Sequence, residues 1–118
     1  MKIVNLEQFL QLPAGSVYAK FEPVIFGDLY VKEGSIGNVD WVCAPFIAVD
    51  DEEKDEYYIT NESYAEGTSF KLDVNWTCRD GLYEKNQLFA VYEKEDVEQL
   101  ITKLQDSLSR AYTRENVE

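Results

Sequence analysis

Apolar positions along this chain recur first in a short helical cluster, then every second residue, and again at helical spacing near the end. In the first cluster Asn5 and Gln8 have the spacing of a capping box, and Val4 and Phe9 that of a hydrophobic staple. The pattern predicts a short helix over Leu6 to Leu12, stopped by Pro13. In S-V-Y-A-K-F-E, Val17, Ala19 and Phe21 alternate with Tyr18, Lys20 and Glu22, which predicts a half-buried strand, ended by Pro23. The run V-I-F-G-D-L-Y-V-K is rich in β-branched and aromatic residues and predicts another strand. Gly27-Asp28 marks a bulge within it, in preference to a tight reversal. E-G-S-I-G-N is turn chemistry. The nearly continuous apolar run W-V-C-A-P-F-I-A-V suits a strand covered on both faces, with Pro45 implying an edge or bulge.

The cleanest alternation is F-K-L-D-V-N-W-T-C, which predicts one long strand with Phe70, Leu72, Val74, Trp76 and Cys78 on a single face. Q-L-F-A-V-Y predicts a further strand, pairing antiparallel with it. Asp96 and Gln99 form a second capping-box pattern, followed by Val97, Leu100, Ile101, Leu104, Leu108 and Ala111. That stripe predicts a helix from about Val97 to Tyr112 packed on the sheet, with the last residues frayed. The expected architecture is a single α+β domain over residues 1–118. It is a two-layer arrangement: a mainly antiparallel sheet of about four to five strands with N-terminal, middle and C-terminal helices.

Composition agrees with one domain: 118 residues, 45% of them apolar, support one hydrophobic core but not two. No apolar run reaches the roughly 18 residues of a membrane span, and M-K-I-V-N-L-E-Q lacks a signal-peptide core. A soluble, unsecreted chain is expected. Histidine is absent, which removes the usual general base near neutral pH and the commonest transition-metal ligand. Cys43 and Cys78 are separated by 34 residues and form no C-x-x-C, so reduced thiols are expected in place of a zinc or dithiol motif. Neither a cofactor nor a catalytic residue is assigned.

Charge changes the picture most. The net charge of −12 repels phosphate backbones and disfavours direct nucleic-acid binding. Residues 50–66 alone carry −7. Their opening, D-D-E-E-K-D-E-Y, fails the calcium-loop pattern because Asp55 stands where a glycine is required. A contiguous run also lacks the convergence from separate elements that acid/base or two-metal centres need. Read as a helix over about residues 51–66, the segment sets its acids against the helix N-terminus and ends at Gly67. Read by propensity, Tyr57-Tyr58-Ile59-Thr60 favours a hairpin with the acids in its loop. In either form Asp50, Asp51, Glu52, Glu53, Asp55, Glu56, Glu62 and Glu66, with Tyr57 and Tyr58 beside them, are the candidate partner-binding residues. A second acidic cluster, Glu93, Glu95, Asp96 and Glu98, opens the C-terminal helix.

The stretch L-P-A-G-S-V-Y-A-K-F-E-P-V-I-F-G-D-L-Y-V-K, with Q-L-F-A-V-Y-E-K-E-D-V, resembles small acidic accessory proteins encoded by bacteriophages and prophages. The resemblance implies a bacterial host cytoplasm and a role in modulating a host protein, and it carries over no functional residue. Acidic inhibitors of nucleic-acid-binding host machinery, DNA mimics among them, are one class of such products. The expectation is therefore a non-enzymatic protein whose acidic surface binds a basic host protein. The competing expectation is a structural or assembly protein, a homodimer included, whose acids serve solubility alone.

Overall fold

Asn5 opens the first helix as its N-cap: Oδ1 accepts the Gln8 N–H at 2.8 Å, and Gln8 Oε1 accepts the Asn5 N–H at 3.0 Å. The computed structural model describes residues 1–50, 71–80 and 84–112. Its elements are β1 (Lys2–Val4), α1 (Leu6–Leu10), β2 (Val17–Glu22), β3 (Ile25–Phe26), β4 (Tyr30–Ile36), β5 (Asp40–Pro45), β6 (Val49–Asp50), β7 (Lys71–Leu72), β8 (Cys78–Arg79), β9 (Leu88–Tyr92) and α2 (Lys94–Ala111). Seven strands form an antiparallel sheet in the order β1-β9-β2-β4-β5-β8, with β3 also paired to β2. β6 and β7 pair separately.

The core lies between α1 and one face of this sheet. Leu6 and Phe9 enter from α1, and the Phe9 ring stacks on Phe89 at 3.9 Å between centroids. Tyr18 and Trp41 meet the same ring edge-on at 4.7 and 4.9 Å. Trp41 Nε1 donates to the Tyr18 hydroxyl at 2.7 Å, which satisfies both polar atoms inside the aromatic cluster. On the reverse face Ala19 and Ala90, paired across β2 and β9, are also fully buried.

The C-terminal carbonyls of α1 find side-chain donors on β4. Ser35 Oγ donates to Leu10 O at 2.8 Å, and Lys32 Nζ donates to Leu12 O at 2.9 Å and to Glu33 O at 3.0 Å. Lys32 is only 2% exposed and its ammonium lies 5.8 Å from the Phe9 ring centroid. Burial lowers its pKa from the ordinary lysine value.

Several expectations are corrected. The sheet has seven strands instead of four to five, because runs that look continuous are interrupted. The residues read as one strand over 70–78 contribute only β7 and β8, in different sheets. Asp73 Oδ1 accepts the Asn75 N–H at 3.0 Å, a local turn that competes with the ladder and leaves Val74 and Trp76 exposed. β9 pairs with β1 and β2, not with that segment. β2 is covered on both faces: Tyr18 joins the aromatic core with Lys20 reaching over Trp41, and Ala19 is fully buried on the other side. The first helix ends at Leu10, two residues before the expected limit.

The run read as one bulged strand is two, β3 and β4, with Gly27, Asp28 and Leu29 between them outside the ladder. Tyr18 faces Tyr30 and Phe21 faces Phe26, so three steps along β2 match four along β3–β4, one residue in excess. Gly27 N–H donates to Lys20 O at 2.7 Å, and a Cβ there would lie 3.1 Å from that oxygen. β2 turns into β3 through Pro23 and Val24, whose φ is +63°. A β-branched residue held there stores about 1–3 kcal/mol of strain. Val24 is 94% exposed. The expected middle helix over 51–66 lies outside the described residues.

Candidate functional site

Of the partner-binding residues read from the sequence, Asp50 is the last residue of β6, its backbone paired with Lys71. Asp51, Glu52, Glu53, Asp55, Glu56, Tyr57, Tyr58, Glu62 and Glu66 lie outside the described residues. The second acidic cluster is described, and its charges are engaged locally. The Glu93 N–H donates to Asp96 Oδ2 at 2.9 Å, which caps α2 three residues earlier than expected. The Met1 ammonium lies 2.6 Å from Asp96 Oδ2 and 3.0 Å from Glu93 Oε1. Hydrogen bonding to that ammonium, then to the Glu93 N–H, holds the Asp96 carboxyl below its usual pKa. Lys94 Nζ pairs with Glu98 at 2.6 Å, one helical turn on.

The rest of α2 carries the unexpected feature. Its apolar stripe is not packed on the sheet, and none of its residues is buried. Among the described residues its attachment is at the first turns, where Leu100 shares a cavity of about 420 Å³ with Met1 and Tyr92. Beyond it Ile101, Leu104 and Leu108 are 50%, 71% and 61% exposed. Val97, Ile101, Leu104, Leu108 and Ala111 are spaced 4-3-4-3, the seam of a helix built to pack against another surface. Its flanking positions, Glu98, Leu100, Gln105, Ser107 and Tyr112, include a single charge.

A second constellation sits where β8 meets β5. Arg79 pairs with Asp40, which is fully buried and also accepts the Trp41 N–H at 2.8 Å. On the other side of β8, Lys20 Nζ pairs with Asp80 at 2.7 Å and lies 5.7 Å from the Trp41 ring centroid. Next to these ion pairs Cys43 and Cys78 face each other as register partners, sulfur to sulfur at 3.7 Å, both unbridged. Burial, then the neighbouring Cys78, pushes the Cys43 thiol up to about 12. Burial likewise raises the Tyr18 hydroxyl above the ordinary tyrosine value. Sequence reading missed this grouping because its members come from β2, β5 and β8 and meet only through strand order.

The groove beside α1, about 650 Å³, is lined by Glu7, Gln11, Ser35 and Lys85 among others. No helix among the described residues is long and apolar enough to cross a membrane. Compared with family models, curated proteins and solved structures, the chain matches none.

Proposed function

We propose that this chain is a non-catalytic interaction protein that docks on a basic protein partner through helix α2. The observation that carries the reading is the row Ile101, Leu104 and Leu108, each at least half exposed on an 18-residue helix. A helix gains most of its stability in water by burying an amphipathic face, so an uncovered stripe of this kind is completed by a groove on another surface. The net charge of −12 selects the rim of that groove: basic groups are drawn in and acidic ones repelled. DNA mimicry against a nucleic-acid-binding or defence protein of a bacterial host is the narrowest form of the reading. That form is supported by the −7 over residues 50–66 and by the phage resemblance.

The test is affinity capture from bacterial lysate at rising salt, with two variants run alongside. The expected partner is basic, binds less as screening increases, and is lost with Leu104→Asp/Leu108→Asp. Neutralising Asp51, Glu52, Glu53 and Asp55 together is expected to weaken capture and flatten its salt dependence. Capture of no basic protein at low salt, or of one indifferent to both variants, removes the proposal.

The seam spacing favours a second reading, self-association in an assembly role. An antiparallel pair of α2 helices would set residues 93–98, net −3, against residues 99–112, net +1. Sedimentation equilibrium distinguishes the two: a dimer abolished by Leu104→Asp/Leu108→Asp and indifferent to the acidic-run variant supports assembly.

A further inference from the structure

We infer that Cys43 and Cys78 form a reversible dithiol–disulfide pair whose closure bonds β8 to β5 and shuts residues 44–77 into a covalent loop. The two are direct partners in an antiparallel register. Directly opposed residues in such a ladder have Cα atoms about 4.5–5.5 Å apart, whichever pair type they occupy. That interval lies inside the roughly 4.4–6.8 Å range of protein disulfides. Their sulfurs are 3.7 Å apart. Reaching the bond length of about 2.05 Å is a matter of side-chain rotation, since the strands already stand at the required separation.

The two residues that follow Cys78 hold the thiols opposed. Arg79 is anchored to Asp40 and Asp80 to Lys20, and the Asp80 N–H donates to Trp41 O at 3.0 Å. β8 is only two residues long and ends the sheet, so these attachments, not a long ladder, set its register. The loop that closure would seal carries a net charge of −7, the main acidic excess of the chain. The inference is independent of what α2 binds.

The sulfurs differ in access: Cys43 is 4% exposed, whereas Cys78 is half-buried. With oxidised glutathione as oxidant, the Cys78 thiolate attacks one glutathione sulfur, forming a mixed disulfide and releasing one glutathione thiolate. Cys43, on losing its proton, then attacks the Cys78 sulfur and expels the second glutathione. Two protein thiols are thereby oxidised to one disulfide, one glutathione disulfide is reduced to two thiols, and the two cysteine protons pass to the released thiolates.

Reduced full-length protein is incubated with oxidised glutathione, quenched with acid, alkylated and weighed intact. The expected product is a monomer two hydrogens lighter than the reduced chain, with no alkylatable thiol, a Cys43–Cys78 linked peptide, and full reversal by dithiothreitol. Cys43→Ser is expected to stop at the glutathione adduct on Cys78, and Cys78→Ser to remain unmodified. A wild-type chain that keeps two alkylatable thiols, accumulates the glutathione adduct, or links between molecules overturns the inference. The wild-type product decides the matter even if a serine variant fails to fold.

Discussion

The two helices among the described residues invert the usual relation between length and burial. α1 has five residues and places two of them, Leu6 and Phe9, in the core. α2 has eighteen and buries none. Both begin with side-chain caps, and both carry apolar residues at helical spacing. What separates them is what lies opposite. The Phe9 side of α1 meets Phe89, Tyr18 and Trp41, while the far half of the α2 stripe has no described surface over it. An amphipathic pattern therefore says that a face is made for burial, and leaves open whether the cover comes from the same chain.

Three substitutions press on this contrast. Phe9→Ala empties the centre of the aromatic cluster and is expected to cost about 3–5 kcal/mol. Urea denaturation measures it, and a loss below about 1 kcal/mol would place the core elsewhere. Asn5→Ala removes the cap of α1 and is expected to cost about 1 kcal/mol, with Asn5→Asp retaining most of it. Leu104→Ala combined with Leu108→Ala, on the uncovered stripe, is expected to change the unfolding free energy by less than about 0.5 kcal/mol. A larger, concentration-independent loss would mean that this face is covered within one molecule. A loss that grows on concentrating the protein would point to self-association.

What could be read in advance was local. Asn5 and Gln8 announce α1 because a capping box is written within four residues. The existence of β2, β5, β9 and α2 follows from local patterns of the same kind. The failures are all questions of partner. Lys2–Val4 has too few residues to signal a strand and becomes one by pairing with β9. In β2 the alternation does not say that both faces are covered: Ala19 is buried on one, while on the other the Tyr18 hydroxyl and the Lys20 ammonium find Trp41 and Asp80. Residues 70–78 alternate perfectly, yet one Asp73 to Asn75 hydrogen bond turns the chain. Of the candidate site, the acidic excess was legible, but only Asp50 lies within the described residues. The cysteine pair was invisible because its separation of 34 residues is bridged by strand order alone.

Strand order also has a consequence for synthesis. β9, residues 88–92, lies between β1 and β2, which come from the first 22 residues. A ribosome adding about 5–20 residues per second delivers Tyr92 roughly 4–14 s after Glu22. Throughout that interval Leu6, Phe9, Tyr18 and, once made, Trp41 have no Phe89 to close over them. Until β9 emerges, β1 and β2 lack the strand that joins them and their core side chains stay uncovered, so the sheet condenses only once that strand is supplied.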